Sequence, residues 1–178
     1  MTHLAFLRGI NVSGKNMIKM PVLAGIFSEL GCKDVCTYIQ SGNVLFNASK
    51  SVAAKIESLV EAAIQDQLGL SVPVIVRSRA EFSEAVAANP FPEAVASPKQ
   101  LNLMFLKTQP EVAAIASLDP NRSAPDRYQV HGRHIYIHLA QSAADTKLTN
   151  AYFDSRLKTA STARNWTTIT TLVEWMHR

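Results

Sequence analysis

The most constraining feature of this chain is an order of patterns packed into its first 79 residues. A short apolar run, Leu4 to Leu7, leads into a segment rich in Gly and Asn from Gly9 to Asn16. Pro21 then suits the first turn of a helix, where its missing N–H costs nothing. Leu23, Ile26, Phe27 and Leu30 follow at spacings of three and four, which makes one apolar stripe. Gly31 is placed to end that helix. Val35 to Ile39 and Val44 to Phe46 are rich in β-branched and aromatic residues, and Gln40-Ser41-Gly42-Asn43 between them predicts a hairpin. Val52, Ile56, Leu59, Val60, Ala63, Ile64 and Leu68 resume the helical period, with Lys55, Glu57, Glu61 and Asp66 off the stripe. Gly69 closes that helix, and Val72 to Val76 adds a strand. The order is βαββαβ, the split βαβ or ferredoxin-like arrangement.

Beyond Arg77 the pattern partly repeats. Ser78 and Glu81 form a capping-box signature for a helix to about Ala88. Asn89-Pro90-Phe91-Pro92 and Ser97-Pro98 read as a linker with proline breaks. Leu101 to Leu106 is a strand, Pro110 to Leu118 a short helix, and Tyr128 to His131 with His134 to Leu139 a second hairpin. Asp145 is placed to cap a helix reaching Leu157. Thr162 is placed to cap a last helix carrying Trp166, Ile169, Leu172, Val173 and Met176. The expected fold class is α+β: two ferredoxin-like (βαββα-type) subdomains, 1–79 and 80–178, packed together with an extra C-terminal helix. The halves share this order without a clear residue-level repeat.

Composition narrows the function classes. At 178 residues, 47 % of them hydrophobic, the chain can bury a real core and is not a disordered segment. Two cysteines cannot make a four-ligand thiolate site. Cys32 and Cys36 are also one residue too far apart for a thioredoxin-type motif. No apolar run is long enough to span a membrane, and the first residues lack a leader pattern. A cytoplasmic protein with no membrane partner is expected. The net charge of +4 hints at an anionic partner. Both halves are nearly balanced, however, with 8 basic and 5 acidic residues in 1–79 against 10 and 9 in 80–178. The basic signal is local.

The local signals favour anion binding. Gly9 to Lys15 has the G-x4-G-K spacing of a phosphate-binding loop, but Asn16 stands where Ser or Thr must ligate magnesium. Pro21 also places the helix start several residues beyond the Lys. A nucleotide-hydrolysing loop is therefore not expected. What remains is a donor-rich segment, Arg8, Asn11, Lys15, Asn16 and Lys19, able to act as an anion nest or simply to cap its own backbone. Gln40, Ser41 and Asn43 read as a turn chosen for its backbone, expected at the sheet end opposite that loop. Thr162-Ala163-Arg164-Asn165-Trp166 reads as a helix start, an anion site to which Arg164 adds a bidentate fork and Lys147 a further charge. On that reading Arg164→Ala abolishes ligand binding and leaves the unliganded stability unchanged. His134, Tyr136 and His138 form an expected half-exposed row. Strand residues four apart are roughly 13 Å apart, so the two histidines cannot share an ion, and no metal site is expected. No nucleophile elbow is present, and no motif names a cofactor or decides whether the protein is an enzyme.

The segments carrying these signals, 6–16, 38–44 and 162–166, together resemble the bacterial domain-of-unknown-function family number 1697. Residues 73–77, Asn89-Pro90-Phe91 and Thr146-Lys147-Leu148 match its pattern in the same order. Ser13 stands where the family commonly has Gly, and Thr146 where it has Ser. The resemblance implies two ferredoxin-like subdomains and marks Arg8, Asn11, Lys15, Gln40, Ser41, Asn43, Lys147, Arg164 and Asn165 as candidate ligand-binding residues. It brings no activity with it. The leading expectation is an anionic small molecule carrying phosphate or carboxylate. The rivals are nucleic-acid binding, against which the strands lack a row of stacking aromatics, and a protein-interaction module, whose sign is exposed apolar surface.

Overall fold

The computed structural model describes residues 1–177. The chain divides into two compact units, Met1–Glu84 and Ala85–Arg178. In unit 1 the elements are β1 (Thr2–Leu7), α1 (Met20–Glu29), β2 (Lys33–Tyr38), β3 (Asn43–Asn47), α2 (Lys50–Ala53), α3 (Ile56–Leu68) and β4 (Val74–Ser78). The strands form one antiparallel sheet in the order β2-β3-β1-β4. Side chains alternate across a strand, so Ala5, Leu7, Val44, Phe46 and Val74 point to the helix side. There they meet Leu23, Ile26 and Phe27 of α1 and Ile56, Val60 and Ile64 of α3 in one core. The other face of the central strand is buried as well, through Leu4 and Phe6.

The long helical stripe expected from Val52 to Leu68 is two helices, and Ile56, Val60 and Ile64 are buried as the spacing predicts. Leu59 and Leu68 are exposed. Glu57 and Glu61, expected on the solvent side, instead accept hydrogen bonds from Val76 N at 2.7 Å and Val74 N at 2.8 Å. β4 is an edge strand, and its outward N–H groups need acceptors. Two carboxylates one helical turn apart supply them.

α4 (Arg79–Ala87) leads out of unit 1, and the division into units falls inside it. Its capping box is formed: Ser78 N donates to Glu81 Oε2 at 2.8 Å and Glu81 N to Ser78 Oγ at 3.3 Å. Part of the expected linker is a 3-10 turn, Pro92–Ala96.

Unit 2 continues with β5 (Leu101–Leu106), α5 (Val112–Ala116), β6 (Arg127–His131), β7 (His134–His138), α6 (Asn150–Leu157), β8 (Ser161–Asn165) and α7 (Trp166–Met176). Its antiparallel sheet runs β6-β7-β5-β8. The unit is therefore βαββαβ plus a helix, one strand more than the βαββα expected. The difference is β8, whose Ser-Thr-Ala-Arg-Asn reads as a polar helix start. Thr162 lies inside that strand, and Asn165 caps α7 by accepting from Thr168 N at 2.9 Å. Likewise Thr149, not Asp145, caps α6, accepting from Tyr152 N; Asp145 accepts from Ser142 Oγ. Tyr136, expected half-exposed, is buried and donates from its hydroxyl to Ala85 O at 2.6 Å.

No helix among the described residues is long and apolar enough to cross a membrane.

Candidate functional site

Six of the nine candidate residues, Arg8, Asn11, Lys15, Gln40, Ser41 and Asn43, lie in unit 1. The segment after β1 folds back on itself as a miniature hairpin. Asn11 N donates to Asn16 O at 3.1 Å and Lys15 N to Val12 O at 2.9 Å. Ser13 and Gly14, with φ of 50° and 73°, make its two-residue turn. Positive φ at both positions is the primed-turn geometry that matches strand twist, and glycine adopts it without strain. Two of the amides that a phosphate cradle needs are thus spent inside the hairpin. Asn11 acts as its clasp: Oδ1 accepts from Ile18 N at 2.8 Å, while Nδ2 donates to Ile18 O at 2.9 Å.

The same Nδ2 also donates to Gln40 O at 2.9 Å, so the hairpin and the β2–β3 turn meet. The expectation that they lie at opposite sheet ends is corrected by the pairing. β1 runs antiparallel to β3, with Phe6 opposite Asn43, so the end of one strand sits beside the start of the other. Leu7 N donates to Gly42 O at 2.8 Å across this junction. Gly42 has a φ of 78°, and a Cβ there would lie 2.8 Å from both Leu7 Cβ and Ile10 Cδ1. No other residue fits. Asn43 is fully buried and holds the turn from within, donating to Tyr38 O at 3.1 Å and Ser41 Oγ at 2.9 Å.

Around these joined loops Arg8 is half-buried, whereas Lys15, Lys19 and Gln40 are exposed. Lys15 and Lys19 form no ion pair with any described residue. Residues 1–28 contain no acidic side chain. The loops thus make a cationic edge whose backbone is fixed by Asn11, Gly42 and Asn43.

Lys147, Arg164 and Asn165 lie in unit 2. Arg164 is not in a helix-start loop: it is the fourth residue of β8 and is buried. Its Nη1 donates to Thr162 Oγ1 at 2.7 Å and Ala163 O at 2.8 Å. Burial pulls its pKa down to about 10, still far above neutrality, so it remains a cation. The Asn165 side chain is engaged as the α7 cap. Lys147 is exposed, and its backbone is pinned by Ser123 Oγ, which accepts from its N, and by Arg122 Nε, which donates to its O.

Two further ionisable groups in unit 2 are explained by structure alone. The Glu93 carboxylate is held below the usual carboxylate range by its own backbone N–H and by the Arg127 guanidinium at 2.6 Å. Arg127 also lies over the Phe91 ring and bonds His138 Nδ1. Burial pushes the Asp126 carboxyl up, but hydrogen bonds from Ala140 N, Thr146 and Ser123 outweigh that and hold it low. Cys32 is buried, Cys36 is exposed, and both are free thiols. Among the described residues no group of three His, Cys, Asp or Glu side chains could hold a metal ion.

A family model described as "Protein of unknown function (DUF1697)" matches residues 1–136. Among solved structures, that of the conserved bacterial protein SP0830 from Streptococcus pneumoniae is similar, with a TM-score of 0.73 and 22 % sequence identity over 99 % of this chain and 98 % of that one. At that identity the likeness is one of fold. No curated protein matches the chain in sequence.

Proposed function

The chain belongs to the DUF1697 family, and on that premise we propose that it binds a small molecule carrying phosphate or carboxylate at the joined loops of unit 1. The observation that carries this is the Asn11 Nδ2 bond to Gln40 O at 2.9 Å. It joins the Arg8–Lys19 segment to Gln40 and Ser41 along an edge without acidic side chains. In this reading Lys15 and Lys19 supply the charge, Arg8 a guanidinium at the base, and Gln40 and Ser41 polar contacts. Asn11 and Asn43 are positioning residues, because their amides are committed to backbone carbonyls.

Titration with inorganic phosphate, pyrophosphate and malonate, followed by thermal shift and calorimetry, tests the proposal. The expected result is saturable stabilisation that falls with ionic strength. The double variant Lys15→Ala/Lys19→Ala should weaken it by at least about tenfold, the loss of roughly 1.4 kcal/mol. Unliganded stability should not change, since both side chains are exposed. No saturable response to any of the three anions would refute the proposal.

A protein-docking role has its own observation. Val12, Met17 and Ile39 are 57 %, 62 % and 50 % exposed on the same joined loops. Exposed apolar side chains gathered on a fixed backbone suit an interface. That role predicts no saturable anion response. Nucleic-acid binding draws less support, because among the strand aromatics Phe6, Phe46, Phe105 and Tyr136 are buried and Tyr38 and Tyr128 are half-buried, while base stacking needs exposed rings.

A further inference from the structure

A strand with two buried faces should carry apolar side chains on both. In β5, Leu-Asn-Leu-Met-Phe-Leu, Asn102 breaks that rule. It alternates with Met104 and Leu106, so it points to the helix side of a strand paired on both edges. Its side-chain amide is half-buried and forms no hydrogen bond with any described residue. No buried side-chain N or O atom among the described residues lacks a partner, so the Asn102 amide reaches solvent, and a polar group open to water on the core side of a central strand calls for an explanation.

The explanation is a recess. Asn102 opens onto a cavity of about 190 Å³ beneath the start of α6. Its floor is apolar: Met104, Ile137, Leu139, Leu148 and Ala163. Its rim is uncharged and polar, formed by Thr146, Thr149 and Asn150 beside Asn102. The rim groups are already engaged: Thr149 Oγ1 accepts from Tyr152 N, Asn150 Nδ2 donates to Ser161 Oγ, and Thr146 Oγ1 accepts from Leu148 N. The Asn102 amide, with both its donor and its acceptor uncommitted, is thus the recognition element.

Chemistry then selects the ligand. No lining side chain is charged, so a bare anion has no counter-charge inside. A hydrocarbon fits the floor but leaves the Asn102 amide unpaired. A group with adjacent N–H and C=O satisfies both ends of an Asn amide at once, as in bidentate readout of a base edge. The volume is below the roughly 300–1,000 Å³ of drug-sized pockets, which limits the occupant to one or two rings. We propose that unit 2 holds a binding site for a small uncharged heterocycle bearing an amide-type edge, with Asn102 pairing that edge and the Met104–Ile137–Ala163 floor packing its ring. Ala143, which also lines the recess, borders a wider groove of about 620 Å³ with Lys99 and Ser142, so a larger substituent on that ring has a way out to solvent. This site is separate from the cationic loops of unit 1 and does not depend on them.

Uracil and nicotinamide are the probes, titrated into the full-length protein and followed by amide NMR. The expected result is saturable movement of the Asn102, Ala163 and Thr149–Asn150 signals, with Kd on the order of 1 mM. Asn102→Leu should weaken both probes by at least about tenfold. It should not lower Tm, because an amide open to water with no protein partner gives way to an apolar side chain of similar size. Ala163→Leu fills the recess from β8 and should abolish binding in a folded protein. A fall in Tm for Asn102→Leu would show that the amide is structural and overturn the proposal. So would an absence of saturable shifts with both probes, or binding that survives Ala163→Leu in a folded variant.

Discussion

The two units are built on one plan and differ in what covers it. Each has a four-stranded antiparallel sheet with its first strand between the third and the fourth, in the orders β2-β3-β1-β4 and β6-β7-β5-β8. The registers of the first strand of each unit correspond residue for residue, so Leu4 pairs with Arg77 and Leu103 with Arg164, whereas β2–β3 carries a register shift that β6–β7 lacks. Each unit therefore buries an arginine at the fourth position of its last strand, one residue before the cap of the next helix. The helix layers do not correspond. Unit 1 has α1 of 10 residues and α3 of 13, whereas unit 2 has α5 of 5 and α6 of 8. In unit 1 the place matching Asn102 is His3, stacked on Phe46 with ring centroids 5.5 Å apart. The Glu57 and Glu61 pair that reaches the edge of β4 is matched by Asn150 and Asp154, both one methylene shorter than Glu, which contact Ser161 Oγ on β8. Strand pairing fixes the plan, and His3 is buried at the position where Asn102 lines a recess.

The largest expected effect tests the shared plan. Arg77 donates to Val76 O at 2.9 Å, and Arg164 to Ala163 O at 2.8 Å. Truncating either leaves buried acceptors without donors, so Arg77→Ala and Arg164→Ala should each cost about 3 kcal/mol in urea unfolding. This reverses the expectation from sequence, in which Arg164→Ala left stability untouched. A cost below about 0.5 kcal/mol, ordinary for a surface substitution, would break the correspondence.

The next effect separates the units at their hairpins. Gly42 is walled in by Leu7 and Ile10, whereas the nearest atom to a Cβ at Gly132 is Gln109 Oε1 at 3.9 Å. Gly42→Ala should cost about 3 kcal/mol from strain and overpacking together, and Gly132→Ala about 1 kcal/mol from positive φ alone. Equal losses of Tm would show that the unit 1 turn is not the tighter one. Smaller still, the caps of unit 2 should each contribute about 1 kcal/mol, so Thr149→Ala and Asn165→Ala should lower the urea midpoint by similar amounts.

The smallest effect is acid-dependent and belongs to unit 2. The folded Asp126 carboxyl titrates below its unfolded value of about 4. Its contribution is therefore complete above that value and fades as pH falls through the lower, folded one. Between pH 5 and pH 2 the wild type should lose more stability than Asp126→Asn. An acid limb of the same slope in both would show that Ala140 N, Thr146 and Ser123 do not hold the carboxylate.

Much of the plan was legible because core-facing residues follow simple periods. Leu23, Ile26 and Phe27 are buried as their spacing predicts, and the Ser78–Glu81 box caps α4. β8 was not legible, since its buried side chains are Ser161, Thr162 and Arg164, and a polar strand carries no apolar alternation. The convergence of the loops at 8–19 and 40–43 was hidden because it depends on the antiparallel pairing of β1 with β3, a long-range fact. Asn11 and Asn43 matched the family pattern, yet they serve the backbone. Asn102 left a trace in the sequence, one amide in an otherwise apolar strand, and the trace carries meaning only once the recess it lines is known.

The division of roles between the units is tested most directly by one set of amide NMR spectra recorded with two probes in turn. Inorganic phosphate should move signals of residues 8–19 and 40–42 in unit 1 and leave Asn102 in place. Nicotinamide should move Asn102, Ala163 and Thr149–Asn150 in unit 2 and leave Lys15 and Ser41 in place. Both probes moving one common set of amides, or neither moving any, would contradict the account.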